Sequence, residues 1–412
     1  MGRGEDLVMT RPRLEVAEVF RQHEAEYLAA HGATAAQRRV LRAVQNCRTA
    51  ALGGHVEACD HCDHQRIAYN SCRNRHCPKC QGPACARWMQ AREAELLPVP
   101  YFHLVFTLPG ALAPVALQNP QTVYALLLKA AAQTLLEVAA DPKHLGAEIG
   151  VLAVLHTWGQ NLLHHPHVHC VVPAGGLAPD GDRWIACRKG FFLSVRVLSR
   201  VFRGKFVAGL KQAFARGALQ LHGNLAELAK GEAFEQLLDQ AVRHDWVVYA
   251  KRPFGGPAQV LKYLARYTHR VAISNRRMVR CADGQVAFRW KDYARGGRQR
   301  VMTLAATEFM RRFLMHVLPR NFVKIRHYGF LANRFRTAKL ERCRSVLNAP
   351  TAPRVEQAEN APANDAATLF APSTANRCPC CGQGRLRVIL HLEALVLGYR
   401  RARPNSAYDD TS

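Results

Sequence analysis

The run LHHPHVHCVVPAGG at residues 163–176 decides how this chain is read. His167 and His169 flank Val168 and lead into Cys170, Val171 and Val172. Such a run predicts a buried strand, in which side chains at i and i+2 share a face. The two imidazoles therefore point one way and Val168 the other. Two convergent imidazoles are half of a metal site. A lone strand histidine is more often a satisfied core residue, but His165, His167 and His169 fall within five positions, which favours a metal.

Working outward, Phe102–Leu108 is rich in β-branched and aromatic residues and stops at Pro109, so it reads as a second strand. Val151–Thr157 and Trp246–Ala250 read as two more, and Asp180-Gly181-Asp182 as a hairpin tip. Helical spacing marks Ala125–Ala139, 194–216, 226–243 and Gln259–His269. No Rossmann glycine fingerprint accompanies these elements. The expected fold class is α+β, with a central, mostly antiparallel sheet flanked by helices.

Upstream of the sheet, residues 14–45 predict two short basic helices, and Ala84–Leu97 a third, closed by Pro98 and Pro100. Seven of the fourteen cysteines fall from Cys47 to Cys85. Cys59-x-x-Cys62 and Cys77-x-x-Cys80 are fourteen residues apart, a spacing at which two tight turns can present four thiolates to one structural Zn²⁺. Ordinary buried cysteines have no reason to repeat at two-residue gaps. Cys72 and His76 lie inside the loop; with Cys47 and His55 they could form a second site or replace one of the four. Arg66, Arg73, Arg75, Lys79 and Arg87, with Tyr69 and Trp88 for stacking, suit a nucleic-acid surface.

Composition agrees. Lys and Arg number 57 against 31 Asp and Glu in 412 residues, a formal charge of +26 that favours a polyanionic partner. Residues 266–344 hold 20 of the basic and 4 of the acidic side chains. No apolar run approaches the ~20 residues of a membrane span, and the start lacks the apolar core of a secretory signal, so a cytoplasmic protein without a membrane partner is expected.

In QVLKYLARYTHRV (259–271), Tyr263 and Tyr267 are four apart and share one helix face, beside Arg266, His269 and Arg270. Alone, such a pair reads as core packing. With the histidines it gains meaning, because DNA cleavage needs a cation to polarise the scissile phosphate and a nucleophile placed in line. Cationic neighbours stabilise a phenolate of pKa ~10.

Four blocks in this order, NSCRNRHCPKCQG (70–82), HPHVHC (165–170), YLARYTHRVAISNRR (263–277) and IRHYGFLANRFR (325–336), resemble the HUH endonuclease superfamily. Within it they are similar to the two-tyrosine rolling-circle transposases of the insertion-sequence-91 type, through about residue 345. The resemblance implies an HUH-type core, single-strand cleavage and strand transfer, and Tyr263 and Tyr267 as nucleophiles forming a 5′-phosphotyrosine. It implies Mg²⁺ or Mn²⁺ on His167 and His169, and single-stranded DNA with element-end hairpins as partner. The third metal ligand stays open: Gln259, one turn before Tyr263, and Gln160 rank equally, with His156 and His165 as rivals. Arg73, Arg75, Lys79, Arg266, Arg270, Arg276 and Arg277 are the expected DNA contacts.

The expected organisation is a helical and zinc-binding domain at 1–97 and a catalytic domain with a basic extension at 98–345. A disordered, Ala- and Pro-rich linker at 346–376 and a cysteine-containing tail at 377–412 follow. In that tail Cys378-x-x-Cys381 is half a zinc site, to be completed by Cys380, by His391 or across a dimer, or else a remnant. An apolar run, Val388–Leu397, follows it.

Overall fold

The computed structural model describes residues 14–93, 95–254, 272–349 and 377–395. The two expected amino-terminal helices are α1 (Val16–His31) and α2 (Ala35–Asn46). Thr34 and Gln37 form a capping box at the start of α2: the Gln37 N–H donates to Thr34 Oγ1, and the Thr34 N–H to Gln37 Oε1. Strands β1 (Gly54–Cys59) and β2 (Gln65–Tyr69) pair as an antiparallel hairpin. Helix α3 (Gln81–Glu93) begins three residues before the expected Ala84, because the Cys77–Cys80 turn feeds straight into it.

The central sheet is built from β3 (Tyr101–Thr107), β4 (Gly150–Trp158), β5 (His164–Pro173), β8 (Val248–Phe254) and β12 (Ile325–Gly329), in the order β12-β4-β5-β3-β8. All of its neighbours are antiparallel. Strict alternation sorts its side chains into two faces. Leu104, Phe106, Val151, Ala153, Leu155, Val168, Cys170 and Val172 point to one side and are buried in the main core. Helices α4 (Ala113–Gln118), α5 (Pro120–Ala140), α6 (Val195–Ala215) and α7 (Gly231–Val242) cover that side. Each apolar side chain fully buried there contributes roughly 1.5–3 kcal/mol. Helix α5, at 21 residues, has the length and apolarity of a membrane span, which the sequence reading did not single out. Its apolarity is used in packing: Leu127, Leu128, Ala131 and Leu135 are fully buried between the sheet and α6.

The hairpin tip at Asp180–Asp182 joins β6 (Gly175–Leu177) to β7 (Trp184–Ala186). The helix expected over 226–243 is divided: a 3₁₀ stretch, Gly223–Ala229, precedes α7. The helix expected at Gln259–His269 lies outside the described residues.

The basic stretch, for which sequence periodicity gave no elements, contains a meander of β9 (Met278–Ala282), β10 (Gln285–Asp292) and β11 (Arg298–Ala305), followed by α8 (Ala306–Leu314). Asp283 and Gly284, both left-handed, form the tight β9–β10 turn. Met278, Val286 and Phe288 pack with Phe309 and Phe313 of α8 and with Val16, Phe20, Leu41 and Val44 in a single second core. The boundary expected at residue 97 is thus crossed by a core shared between residues 16–80 and 272–314. Helix α9 (Arg336–Val346) ends on the first residue of the expected linker, whose positions 350–376 are not among the described ones. In the tail, the apolar run forms β13 (Leu386–Leu392), which adds to β1 and makes a sheet ordered β13-β1-β2.

Candidate active site and metal centres

The face of the central sheet opposite α5 carries the histidines. His156 on β4 stands directly across from His167 on β5, and His169 lies two residues further along β5, opposite Val154. The alternation that sends Val168 into the main core turns both β5 imidazoles to this face. One ring nitrogen from each of His156, His167 and His169 lies within 4.8 Å of the others, close enough for a single ion. His156 and His169 are buried, His167 half-buried. The group is therefore sunk into the sheet and opens towards His167.

Neighbouring bonds select the ring atoms. His167 Nδ1 lies 2.7 Å from the His165 carbonyl, which can only accept, so Nδ1 carries the proton and Nε2 the lone pair. His169 Nδ1 is 2.8 Å from Nε2 of the buried His103 on β3. Burial lowers the pKa of His167 to about 4 and that of His103 to about 3, so both rings are neutral at pH 7, the protonation state of a metal-ligating imidazole. His156 stacks on Trp158, with ring centroids 4.6 Å apart. The sequence reading missed His103. Its signal was there in FHLVF, where a histidine takes the place of an outward residue between Phe102 and Leu104.

Of the rival third ligands, His156 joins the pair. The Gln160 carbonyl instead accepts from Arg277 Nη2 at 2.5 Å, and the His165 carbonyl from His167. His165 does not belong to the group, and Gln160 lies beyond the end of β4. Gln259, Tyr263, Tyr267, Arg266 and Arg270 lie outside the described residues.

The cysteines depart from the expected pairing. Cys77 and Cys80 gather with Cys47 and Cys72, whereas Cys59 and Cys62 gather with Cys378 and Cys381. The reason is the β1–β2 hairpin. It carries the Cys59–Cys62 turn at its tip, while Asn70 N donates to Gly53 O and Arg48 N to Asn70 O, holding its base, and with it Cys72, beside Cys47. In the first group Cys80 Sγ lies 3.5 Å from Cys47 Sγ and 3.6 Å from Cys72 Sγ. Hydrogen bonds from Cys47, Cys72 and Cys77 hold Cys80 far below the usual thiol range, and the same crowding pushes Cys77 above it. His76, weighed as a ligand, joins neither group. Its Nε2 accepts from the Leu318 N–H at 3.4 Å, and burial beside Lys324 and Arg75 lowers its pKa to about 3.

The expected DNA contacts divide by their bonding. Arg73 and Arg276 are exposed. Arg75 is exposed too but donates to the Phe322 carbonyl. Lys79 is paired with Glu15 at 2.6 Å and donates to the Cys47 carbonyl, so it braces the cysteine turn. Arg277 donates to the carbonyls of Arg289, Ala272 and Gln160, which ties β10 to the loop after β4. Trp88 packs against a cluster that includes Leu97, Val99, Tyr101 and Leu340, and Tyr69 is exposed.

Comparison with known proteins converges on one family. Residues 150–339 match the family described as "Putative transposase", and residues 19–108 the one described as "Transposase zinc-binding domain". The chain is 55% identical over 382 residues to "Putative transposase y4qJ" of Sinorhizobium fredii, covering 92% of this chain and 96% of that one. It is 30% identical over 291 residues to the transposase for insertion sequence element IS801 of Pseudomonas savastanoi pv. phaseolicola, covering 70% and 68% of the two chains. The chain belongs to the transposases of the insertion-sequence-91 type. No solved structure matches it. As a transposase it is a DNA-binding and DNA-cutting enzyme, and its amino-terminal domain is one that holds structural zinc. The zinc-binding match spans Cys47, Cys72, Cys77 and Cys80, and the second match spans β4, β5 and the stretch containing both tyrosines.

Proposed function

We propose that the transposase cleaves one strand of DNA at the ends of its element with a tyrosine and retains the 5′ end as a phosphotyrosine. The observation that carries this reading is the convergence of His156, His167 and His169 on one face of the antiparallel sheet. Three imidazoles, one with Nε2 selected by a backbone carbonyl, would hold Mg²⁺ or Mn²⁺ with open positions for phosphate oxygens. When bound, such a cation polarises the scissile phosphate and stabilises the charge that builds on it.

The chain supplies the nucleophile. Tyr263 or Tyr267 attacks phosphorus as a phenolate, the Tyr O–P bond forms, the P–O3′ bond breaks, and the leaving 3′ oxygen takes a proton. The phosphotyrosine keeps the ester, so a free 3′-OH can reverse the step on another strand. Two tyrosines four residues apart in the sequence let one hold the donor end while the other cuts. Cys47, Cys72, Cys77 and Cys80 hold the structural zinc of the amino-terminal domain, four thiolates with no position left for water. Single-stranded DNA and end hairpins are the substrates. Arg280, Arg289 and Lys291 lie exposed on the meander face turned away from the second core, Arg295, Arg298 and Arg300 are exposed at the β10–β11 turn and along the edge strand β11, and together they offer a phosphate track.

The test is to incubate the protein with a single-stranded oligonucleotide from the element's end and Mn²⁺, then denature. Protein-linked DNA that disappears in Tyr263→Phe/Tyr267→Phe supports the reading. Absence of any adduct with the wild type leaves a zinc-dependent DNA-binding protein without this chemistry.

A further inference from the structure

The Cys-x-x-Cys pair near the carboxyl end lies beyond both family matches, which stop at residues 108 and 339. It meets a counterpart more than three hundred residues earlier in the chain. Cys59 Sγ lies 3.8 Å from Cys381 Sγ, and Cys62 Sγ 3.7 Å from Cys378 Sγ, with all four sulfurs within 4.8 Å of one another. A zinc–sulfur bond of about 2.3 Å places the sulfurs of a regular tetrahedron about 3.8 Å apart, whereas a disulfide would bring a pair to about 2.05 Å. The separations are those of a tetrahedral thiolate site.

Backbone donors surround the sulfurs in the same pattern on both sides. The His61 N–H donates to Cys59 Sγ at 3.3 Å, and the His64 N–H hydrogen bonds to Cys62. On the opposite turn the Cys380 N–H donates to Cys378 Sγ at 3.4 Å, and the Gly384 N–H to Cys381 Sγ at 3.3 Å. Two turns thus face each other, each supplying two sulfurs and two donors that favour the thiolate form. Around them the fold is already closed. Asp60 and Arg385 exchange bonds in both directions, with Arg385 N donating to Asp60 Oδ1 at 2.7 Å and Asp60 N to Arg385 O at 3.0 Å. Strand β13 runs antiparallel along the whole of β1, from Gly54 opposite Leu392 to Cys59 opposite Leu386. At Gly384 an added Cβ would run into Cys59 Sγ and stand 2.6 Å from His61 Cβ, so only glycine lets the turns approach this closely.

We infer that Cys59, Cys62, Cys378 and Cys381 hold a second structural zinc, which clasps the carboxyl-terminal strand onto the amino-terminal hairpin. The transposase then carries two zinc ions per chain, and the β1–β2 hairpin and β13 form one zinc-bound unit. The open valence of each Cys-x-x-Cys turn is satisfied by the other, without a second copy of the chain. The inference is independent of the tyrosine chemistry.

The test is zinc content per chain of the full-length purified protein, with no chelator used. The wild type should hold two ions. Cys378→Ser/Cys381→Ser and Cys59→Ser/Cys62→Ser should each hold one, and the quadruple variant should still hold one, because both pairs serve the same ion. Gly384→Val, with all cysteines intact, should also lose one. A wild type holding a single ion, a tail variant holding two, or a quadruple variant that loses more than either double would overturn the clasp. Cobalt loading guards against misfolded variants. The wild type should bind two Co²⁺ with the intense visible bands of tetrahedral thiolate sites, and saturation at one would overturn the inference without any substitution.

Discussion

His103 Nε2 lies 2.8 Å from His169 Nδ1, joining β3 to β5 behind the three-histidine group. The bond fixes the tilt of the His169 ring and leaves its Nε2 side for the pocket shared with His156 and His167. His103→Phe keeps the ring and the burial but removes the bond. Apparent affinity for Mn²⁺ in strand cleavage should fall about 10- to 100-fold, with much of the rate recovered at saturating metal. Titrating Mn²⁺ in a nicking assay checks this, and an unchanged half-saturation would refute the positioning role.

His156 was one of several rivals in the sequence, and the fold brings it to the pair. His156→Ala should abolish metal-dependent cleavage as thoroughly as His167→Ala, by roughly 100-fold or more, while Gln160→Ala stays near wild type. Single-turnover cleavage of an end oligonucleotide compares them. Full activity in His156→Ala would send the third ligand back to Gln259.

His316 gives the stability a pH dependence of known sign. It is buried, with Nε2 donating to the Leu162 carbonyl at 3.0 Å and Nδ1 3.2 Å from Thr157 Oγ1, and burial lowers its pKa to about 3. The unfolded chain takes up this proton near pH 6.5 and the folded chain only near 3. Between those values the unfolded state binds more protons, so the stability from this group is full above pH 6.5 and is lost as the pH falls towards 3. From pH 7 to pH 5 the loss is about 2 kcal/mol. Urea unfolding of wild type and His316→Gln at both pH values measures it. The wild-type advantage should shrink by that amount, and a difference independent of pH would contradict the assignment.

Gly329 ends β12 with φ +62°, and a Cβ there would strike the Ile149 carbonyl and come within 2.8 Å of Leu136 Cδ2. Gly329→Ala combines left-handed strain with overpacking at the sheet edge, and should cost roughly 2–5 kcal/mol in denaturant unfolding. Gly181→Ala, also at positive φ but with open space around it, should cost less.

The exposed cations of the meander predict salt-sensitive binding. Replacing Arg289, Lys291, Arg298 and Arg300 with Gln should weaken single-strand binding and flatten the log–log salt slope by about 0.7 per lost phosphate contact. Fluorescence anisotropy across a salt series reads both, and an unchanged slope would place the DNA elsewhere.

The sequence by itself determined what depends on near neighbours. Period-two alternation put His167 and His169 on one face and Val168 in the core. Helical spacing and composition placed α1, α2, α5 and α6, and Cys-x-x-Cys marked each metal-binding turn. The meander carried a signal in β10, where Val286, Phe288 and Trp290 alternate with Ala287, Arg289 and Lys291, but β11 opens on Arg-Gln-Arg and the stretch as a whole resembles an unstructured basic one. Tertiary structure decided which of these local pieces meet. A Cys-x-x-Cys turn supplies two ligands and leaves two open, and nothing in its spacing says whether the rest come from 15 residues away or from 316. Strand register brought His156 to the pair, and the pairing of β13 with β1 gave Cys59 and Cys62 to the tail rather than to Cys77 and Cys80. Ligation is a long-range contact, fixed only when distant strands are brought into register.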